Sequence, residues 1–304
     1  MQTRRQILQG IVAATLGGAA LPKAWGQDAS PLTRAIPAIG ERLPLVGLGS
    51  WITFNVGNDR ELQDDCAAVM AAFFESGGRM IDSSPMYGSS QPTIGYGLKK
   101  LRYPRTLFSA DKVWISNPAS GPEQIERSRR YWGVSRFDLV QVHNLLSWER
   151  HLPTLFKMKA DGKLRYVGIT TSEGRRHRDV LRIMASQPID FVQVTYNVLD
   201  REVEARILPL GMERGIGVIV NRPFRQGELI DAVQRRPLPK WIAETGASSW
   251  AQFLLKFIIS HPAVTCAIPA TTRVDHVREN LAAASGVLPD EPLRRRMAEY
   301  VRQL

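Results

Sequence analysis

Eight short apolar segments alternate with amphipathic segments along most of this chain of 304 residues, and this alternation constrains the fold more than any other feature. The apolar segments are residues 45–50, 80–83, 107–112, 138–142, 165–170, 190–195, 217–221 and 264–269. Segments with helical periodicity follow them at 62–75, 93–100, 123–131, 152–159, 178–185, 202–213, 250–259 and 274–284. Strands that alternate with helices form parallel sheets, and eight such units predict a closed (β/α)8 TIM barrel rather than an open α/β sheet.

The barrel is predicted to be a single domain over residues 39–285, because no Pro- or Ser-rich linker interrupts this part of the chain. An open dinucleotide-binding sheet requires the motif GxGxxG after its first strand, and here Gly47 and Gly49 are followed by no third glycine. Residues 286–304 are predicted to form a C-terminal helical extension, with a helix at 291–302.

The basic surplus of 40 Lys and Arg over 29 Asp and Glu gives a formal charge of +11, which is compatible with an anionic partner. No aromatic-basic repeat, zinc finger or helix-turn-helix pattern accompanies the charge, so a nucleic acid is not expected as that partner. Cys66 and Cys266 are too few for a disulfide framework or a four-thiolate site, and both are expected to be buried thiols, with a pair between them as the alternative. No metal-binding motif such as HExxH or CxxC occurs.

The N-terminus contains Arg4-Arg5 followed by an uncharged stretch at 11–21, which is too short to span a bilayer and predicts no stable membrane anchor. This arrangement resembles a bacterial twin-arginine export signal over residues 1–26, cleaved after Gly26. The resemblance implies the export machinery as a partner of the precursor and a periplasmic location. The alternative is a cytoplasmic protein with a disordered N-terminus. Residues 1–26 carry three basic and no acidic residues, so a protein cleaved there has a charge of +8.

Polar side chains end three successive strand-like segments, where the active site of a TIM barrel lies. Asp82 ends the second segment, with Tyr87 five residues later, Lys112 ends the third and His143 follows the fourth. A phenol can protonate the alkoxide formed when a hydride reduces a carbonyl group, if a nearby ammonium stabilises the phenolate and lowers its pKa. A carboxylate would hold that ammonium, and an imidazole would hydrogen-bond the carbonyl oxygen.

With the motifs around them, these residues resemble the aldo/keto reductase superfamily over about residues 39–285. The segment LVGLGSW at 45–51 is similar to the family's first-strand GLGTW, and VGIT at 167–170, QVTYN at 193–197 and ENL at 279–281 also match. The resemblance implies a catalytic tetrad of Asp82, Tyr87, Lys112 and His143, with Tyr87 as the general acid. It implies an NAD(P)H-dependent enzyme that reduces an aldehyde or ketone to an alcohol. A regulatory protein of the same fold that binds nucleotide but turns over slowly is the alternative.

The cofactor residues implied by the resemblance match the family less closely. Thr170 and Thr171 replace the usual Ser-Asn pair at the nicotinamide carboxamide, and Asn221 replaces an aromatic that often stacks on the ring. Arg222 suits the pyrophosphate, because a guanidinium matches phosphate geometry. The resemblance favours NADP(H) over NAD(H), although the usual basic pair after the eighth strand is replaced. The expected cofactor residues are Thr170, Thr171, Gln193, Asn221, Arg222, Thr271, Arg273, His276, Glu279 and Asn280.

Three tryptophans follow strand ends and are expected to line the substrate pocket. They are Trp51, Trp114 and Trp148, two of which lie where the family places aromatic walls. Such a lining suits a small-molecule carbonyl compound with an apolar or aromatic substituent.

Overall fold

The computed structural model describes residues 30–304, so the predicted export signal at 1–26 lies outside the described residues. Two strands, β1 (Thr33–Ala35) and β2 (Arg42–Pro44), precede the barrel. The barrel strands are β3 (Leu48–Gly49), β4 (Met80–Asp82), β5 (Phe108–Val113), β6 (Phe137–His143), β7 (Leu164–Thr170), β8 (Phe191–Thr195), β9 (Gly217–Asn221) and β10 (Val264–Ala267).

The eight barrel strands are parallel and pair in sequence order, which confirms the predicted (β/α)8 fold. The barrel closes between its first and last strands through bridges from Val46 to Ala267 and from Gly49 to Ala270. The first barrel strand, β3, has two residues, whereas the sequence predicted a strand over residues 45–50. The regular strand is shorter than predicted because residues 45–50 contact the last strand only through these isolated bridges. Gly49 permits the close approach to the last strand, since a Cβ there would lie 2.8 Å from the carbonyl oxygen of Ile268.

Helices follow the strands and cover the outside of the barrel. They are α1 (Arg60–Glu75), α2 (Ser90–Lys100), α3 (Gly121–Trp132), α4 (Trp148–Ala160), α5 (His177–Ser186), α6 (Ile207–Arg214), α7 (Glu228–Val233), α8 (Trp250–Ile259) and α9 (Val274–Ala282). Two begin at side-chain caps: Asp59 accepts from the Leu62 N–H before α1, and Ser249 accepts from the Gln252 N–H before α8.

Two helical segments differ from the sequence prediction. The predicted helix at 202–213 is divided into a 3₁₀ turn, Glu202–Ala205, and α6, because Arg206 has a non-helical backbone. Pro209 then falls in the first turn of α6, where its missing N–H removes no helical hydrogen bond. The short helix α7 and the 3₁₀ segment Lys240–Thr245 were not predicted, and together they form an insertion between β9 and α8.

The antiparallel hairpin of β1 and β2, also not predicted, covers the N-terminal end of the barrel. Its Ile36 and Leu43 are completely buried against Phe108, Phe191 and other interior side chains. This apolar contact excludes water from the barrel interior at its N-terminal end.

The predicted C-terminal helix is present as α10 (Glu291–Arg302), which begins where Asp290 accepts from the Leu293 N–H. Its buried Arg294 donates to Glu204 at 2.8 Å and fixes the helix against the barrel. Cys66 and Cys266 are both free and buried, and burial raises the pKa of each thiol. No helix between residues 30 and 304 is long and apolar enough to cross a membrane.

Candidate active site

The four residues predicted to form a tetrad lie together at the C-terminal end of the barrel. Asp82 ends β4, Lys112 is the penultimate residue of β5 and His143 ends β6. Tyr87 lies in the loop between β4 and α2. Asp82, Tyr87 and His143 line one cavity of about 570 Å³. The structure therefore brings these side chains to the end of the barrel at which TIM-barrel enzymes place their chemistry.

Lys112 is completely buried and lies between Asp82 and Tyr87. Its Nζ donates to Asp82 Oδ1 at 2.5 Å and to the carbonyl oxygen of Ser83 at 2.7 Å. The same Nζ lies 5.2 Å from the centre of the Tyr87 ring. Burial lowers the pKa of Lys112, but Asp82 and Tyr87 raise it by more, so the pKa is above its ordinary value. The side chain is therefore a charged ammonium.

The phenol of Tyr87 has a pKa above its ordinary value. Burial is the largest cause and raises the pKa, whereas the ammonium of Lys112 lowers it. Lys112 acts in the direction expected from the sequence, but burial outweighs it, which corrects the expectation of a lowered pKa. The phenol is therefore protonated at neutral pH and can act as an acid.

The imidazole of His143 is neutral. Burial and then the charge of Lys112 lower the pKa of His143 to about 2. Its Nδ1 lies 2.7 Å from Ser84 Oγ, and its ring packs edge-on against Tyr87 with 5.7 Å between the ring centres. A neutral ring at this position can hydrogen-bond a ligand without adding a second charge beside Lys112.

The second carboxylate oxygen of Asp82 is held by two amides. Gln141 Nε2 donates to Asp82 Oδ2 at 3.2 Å, and Gln193 Nε2 donates to it at 3.0 Å. The Oε1 atom of Gln193 in turn accepts from Thr170 at 3.1 Å and from Asn221 at 3.4 Å. A continuous set of hydrogen bonds thus crosses the barrel from β9 to the ion pair of Asp82 with Lys112.

The sequence analysis did not predict Ser84 or Gln141 as site residues, although the alternation of side chains along a strand could have indicated Gln141. Gln141 precedes His143 by two residues, so both side chains point to the same face of β6. Ser84 lies outside β4, and its contact depends on a loop conformation that no sequence period reports.

Thr170, Gln193 and Asn221 line the main cavity beside the tetrad, whereas Thr171 does not. Thr171 is buried, and its hydroxyl accepts from the Glu173 N–H at 3.1 Å. The amide of Asn221 donates to the Thr171 carbonyl at 3.2 Å and its Oδ1 accepts from Thr195 at 2.7 Å.

A second cavity of about 480 Å³ shares Phe224 and Ala270 with the main cavity. Four of the expected cofactor residues line this second cavity, namely Thr271, His276, Glu279 and Asn280. Arg273 does not line it. The guanidinium of Arg273 is 62% exposed and donates to Asp275 at 2.5 Å, so its charge is already paired.

Arg222 lines the main cavity and also a smaller, polar cavity of about 260 Å³ that contains Arg225. Its backbone is left-handed, with φ of 49°, and its carbonyl oxygen accepts from Asn197 at 3.2 Å. The turn directs this arginine to the junction of the two cavities, which is consistent with an anionic ligand there.

Of the three tryptophans expected at the pocket, the structure places only Trp51 in the lining of the main cavity. Trp148 starts α4, and its ring lies 5.5 Å below the guanidinium of Arg182. Trp114 is 40% exposed and follows β5 outside the cavity. Ile52 and Met86 instead supply apolar wall beside Trp51.

The residues around the two adjoining cavities fit a nicotinamide dinucleotide. The main cavity offers the amides and hydroxyl of Gln193, Asn221 and Thr170, and the Oδ1 of Asn144 is buried beside it with no hydrogen-bond partner among residues 30–304. The second cavity provides room and polar groups for an adenosine end. No group of three or more His, Cys, Asp or Glu that could hold a metal ion occurs in this same part of the chain.

Known proteins are similar to this chain in sequence and in fold. Methylglyoxal reductase YeaE of Escherichia coli (strain K12) is 27% identical over 79% of this chain and 85% of its own length. The NADH-specific methylglyoxal reductase of the same organism is 26% identical over 84% and 95%. A crystal structure of an aldo-keto reductase from Klebsiella pneumoniae in complex with NADPH superposes with a TM-score of 0.73 at 22% identity, covering 89% of this chain and 95% of that one.

The family model that matches this sequence, described as the aldo/keto reductase family, covers residues 45–296. This range includes all eight barrel strands and extends into α10. The chain belongs to the aldo/keto reductase family.

Proposed function

We propose that this protein reduces an aldehyde or ketone to an alcohol with NADPH, using Tyr87 as the acid. The observation that carries the proposal is the buried ammonium of Lys112, which touches Asp82 on one side and faces the Tyr87 ring on the other. If Lys112 served only to form a structural ion pair, Asp82 alone would be sufficient as its partner. The additional placement of a protonated phenol at the cavity is the arrangement that a proton donor requires.

A bound reduced nicotinamide would supply a hydride for the carbonyl carbon. Gln193, Thr170 and Asn221 would hold its nicotinamide end, and Asn280 and Glu279 its adenosine end. The tetrad residues of the chain would transfer the proton and orient the substrate.

Tyr87 gives its hydroxyl proton to the carbonyl oxygen as that oxygen gains negative charge. The phenolate left behind is stabilised by the ammonium of Lys112, which Asp82 keeps charged. The neutral imidazole of His143 hydrogen-bonds the carbonyl oxygen and orients it toward Tyr87. Solvent later returns a proton to the phenolate, so that the net reaction consumes one hydride and one proton.

The substrate class follows from the lining of the main cavity. Trp51, Ile52 and Met86 present apolar surface to the same cavity that Asp82, Tyr87 and His143 line. A carbonyl compound with an apolar substituent would bury that substituent against these side chains. The two E. coli relatives are named for methylglyoxal, so this small aldehyde is the first probe to test.

The preference for NADPH rests on basic side chains beside the cavities. Arg222 lines the main cavity and His276 lines the second cavity, whereas Arg273 lines neither and is paired with Asp275. An additional phosphate on the adenosine ribose would gain hydrogen bonds from a basic side chain at the second cavity. The measurement is the ratio of kcat/KM with NADPH to kcat/KM with NADH, and a ratio below one would contradict this part of the proposal.

The test of the activity follows the loss of NADPH absorbance with methylglyoxal and a series of aldehydes of increasing apolar size. Turnover that rises with apolar size supports the proposal. Tight NADPH binding, measured by protein fluorescence quenching, without turnover on any carbonyl would favour a regulatory nucleotide-binding protein instead.

We also propose that residues 1–26 direct the folded protein through twin-arginine export to the periplasm. The support is the Arg4-Arg5 pair followed by a short apolar stretch. Export of a folded protein would allow nucleotide to bind before export. Cell fractionation of the full chain tests this, with Arg4→Lys/Arg5→Lys as the matched control. A wild-type protein found uncleaved in the cytoplasm would contradict it.

A further inference from the structure

The loop after β4 holds a buried serine against the histidine of the active site. Ser84 is completely buried, and its Oγ lies 2.7 Å from Nδ1 of His143. The same Oγ accepts a hydrogen bond from the backbone N–H of Met86 at 3.3 Å. Tyr87 follows directly, so one short loop both carries the phenol and contacts the imidazole.

The direction of the contact between Ser84 and His143 follows from counting donors and acceptors. The Met86 N–H can only donate a hydrogen bond, so it cannot accept one from the hydroxyl of Ser84. Among residues 30–304 the acceptor recorded within reach of that proton is Nδ1 of His143. A buried hydroxyl that left its proton unpaired would lose free energy, and a donation to Nδ1 avoids this loss.

We propose that Ser84 is a positioning residue that donates to Nδ1 of His143 and thereby fixes the proton of this neutral ring on Nε2. A neutral imidazole carries one proton, so a bare Nδ1 requires a protonated Nε2. His143 lines the main cavity, and the structure records no partner for its Nε2 within the described residues. Nε2 is therefore the nitrogen that presents an N–H to a ligand.

The consequence for chemistry rests on the proposed function. A carbonyl oxygen accepts a hydrogen bond from an N–H, but it repels the lone pair of a bare nitrogen. With the proton on Nδ1, the ring would offer the substrate that lone pair. Ser84 thus decides whether His143 attracts or repels the carbonyl oxygen, although Ser84 itself touches no substrate.

Ser90→Ala provides a matched control. Ser90, the first residue of α2 at the end of the same loop, is also a completely buried serine, but its hydroxyl pairs with Ser83 at 3.0 Å and makes no recorded hydrogen bond to His143. Both substitutions remove one buried hydroxyl, so a general loss of packing would affect both variants alike.

The experiment is ¹⁵N NMR of the full chain with labelled histidine, without nucleotide or substrate, with the His143 signals assigned from His143→Gln. We expect a protonated Nε2 and a bare, hydrogen-bonded Nδ1 that do not titrate between about pH 5 and 9. Ser84→Ala should shift the Nδ1 signal toward that of a nitrogen without a hydrogen bond, Ser84→Thr should restore it, and Ser90→Ala should leave it unchanged. A protonated Nδ1 in the wild type, or an equal shift in Ser84→Ala and Ser90→Ala, would overturn the proposal.

Kinetics give a second readout. Ser84→Ala should lower kcat for carbonyl reduction about tenfold, the effect of losing one hydrogen bond of ordinary strength, and should change KM much less. An unchanged kcat with the NMR shift observed would overturn the positioning role. If the wild type reduces no carbonyl compound, the proposed function is wrong. The NMR experiment still determines the tautomer of His143 in that case, because it requires no turnover.

Discussion

Replacing Lys112 by methionine removes a positive charge from a site that excludes water and leaves the carboxylate of Asp82 without its main partner. The two side chains are 0% and 3% exposed, and their charged atoms are 2.5 Å apart. Removing one partner of such a pair costs about 3–5 kcal/mol of unfolding free energy. Gln141 and Gln193 still donate to Asp82 Oδ2, so we expect a loss near the lower limit, about 3 kcal/mol.

A double-mutant cycle separates the ion pair from general packing. Asp82→Asn should also destabilise the protein, because it leaves the ammonium of Lys112 with the Ser83 carbonyl as its remaining close acceptor. The double variant Asp82→Asn/Lys112→Met removes both charges and should recover about 2 kcal/mol relative to the sum of the single variants. Methionine is nearly as long as lysine and apolar, so it fills most of the space.

The assay is equilibrium unfolding in urea followed by circular dichroism, with the slopes compared to confirm that the same transition is measured. Losses below about 1 kcal/mol in both single variants, or free energies that simply add, would refute the reasoning. Such a result would mean that Lys112 and Asp82 are not coupled in the folded protein.

Three further predictions concern pH, the C-terminal helix and helix packing. The pH profile of kcat/KM for carbonyl reduction should stay level from neutral pH to about pH 10 and then fall. The reason is that the protonated phenol of Tyr87 is the active form and that burial raises its pKa. A loss of activity near pH 7 would contradict this prediction. Arg294→Met should lower the unfolding free energy by about 2 kcal/mol, since Glu204 loses a charged partner at 2.8 Å but keeps Arg201 and the hydroxyl of Tyr196. The exposed Arg295→Met should change the unfolding free energy by less than about 0.5 kcal/mol, and equal losses in thermal denaturation would contradict the account. Gly95→Ala in α2 should lower the unfolding free energy by at least about 1 kcal/mol, although alanine has the better helix propensity. The reason is that the added Cβ would lie within 2 Å of the Tyr131 carbonyl oxygen. A variant that is more stable than the wild type in urea unfolding would contradict this prediction.

The sequence predicted the barrel well because long-range order in this fold follows from local periodicity. The strand β9 at Gly217–Asn221 and the helices α8 and α10 have the predicted bounds. The hairpin of β1 and β2 was not predicted because its strands, TRA and RLP, are short and contain no apolar run such as the one that marks β4. Its position at the barrel end is set by tertiary burial of Ile36 and Leu43.

For the site, the predicted strand ends brought Asp82, Lys112 and His143 together, because parallel strands end at one edge. The predictions for loops were weaker. Trp114 and Trp148 follow strand ends but lie outside the main cavity, since the direction of a loop side chain depends on local backbone angles. The same limit hid the contact of Ser84 with His143, which depends on a turn that the sequence alone does not specify.

The most direct test of the central claim compares wild type with Tyr87→Phe in carbonyl reduction at saturating NADPH. The substitution removes the hydroxyl alone and keeps the ring beside His143. We predict that kcat falls at least about 100-fold, the usual contribution of a positioned general acid, while NADPH binding measured by fluorescence is unchanged. A Tyr87→Phe variant that reduces every substrate as fast as the wild type would contradict the assignment of Tyr87 as the proton donor.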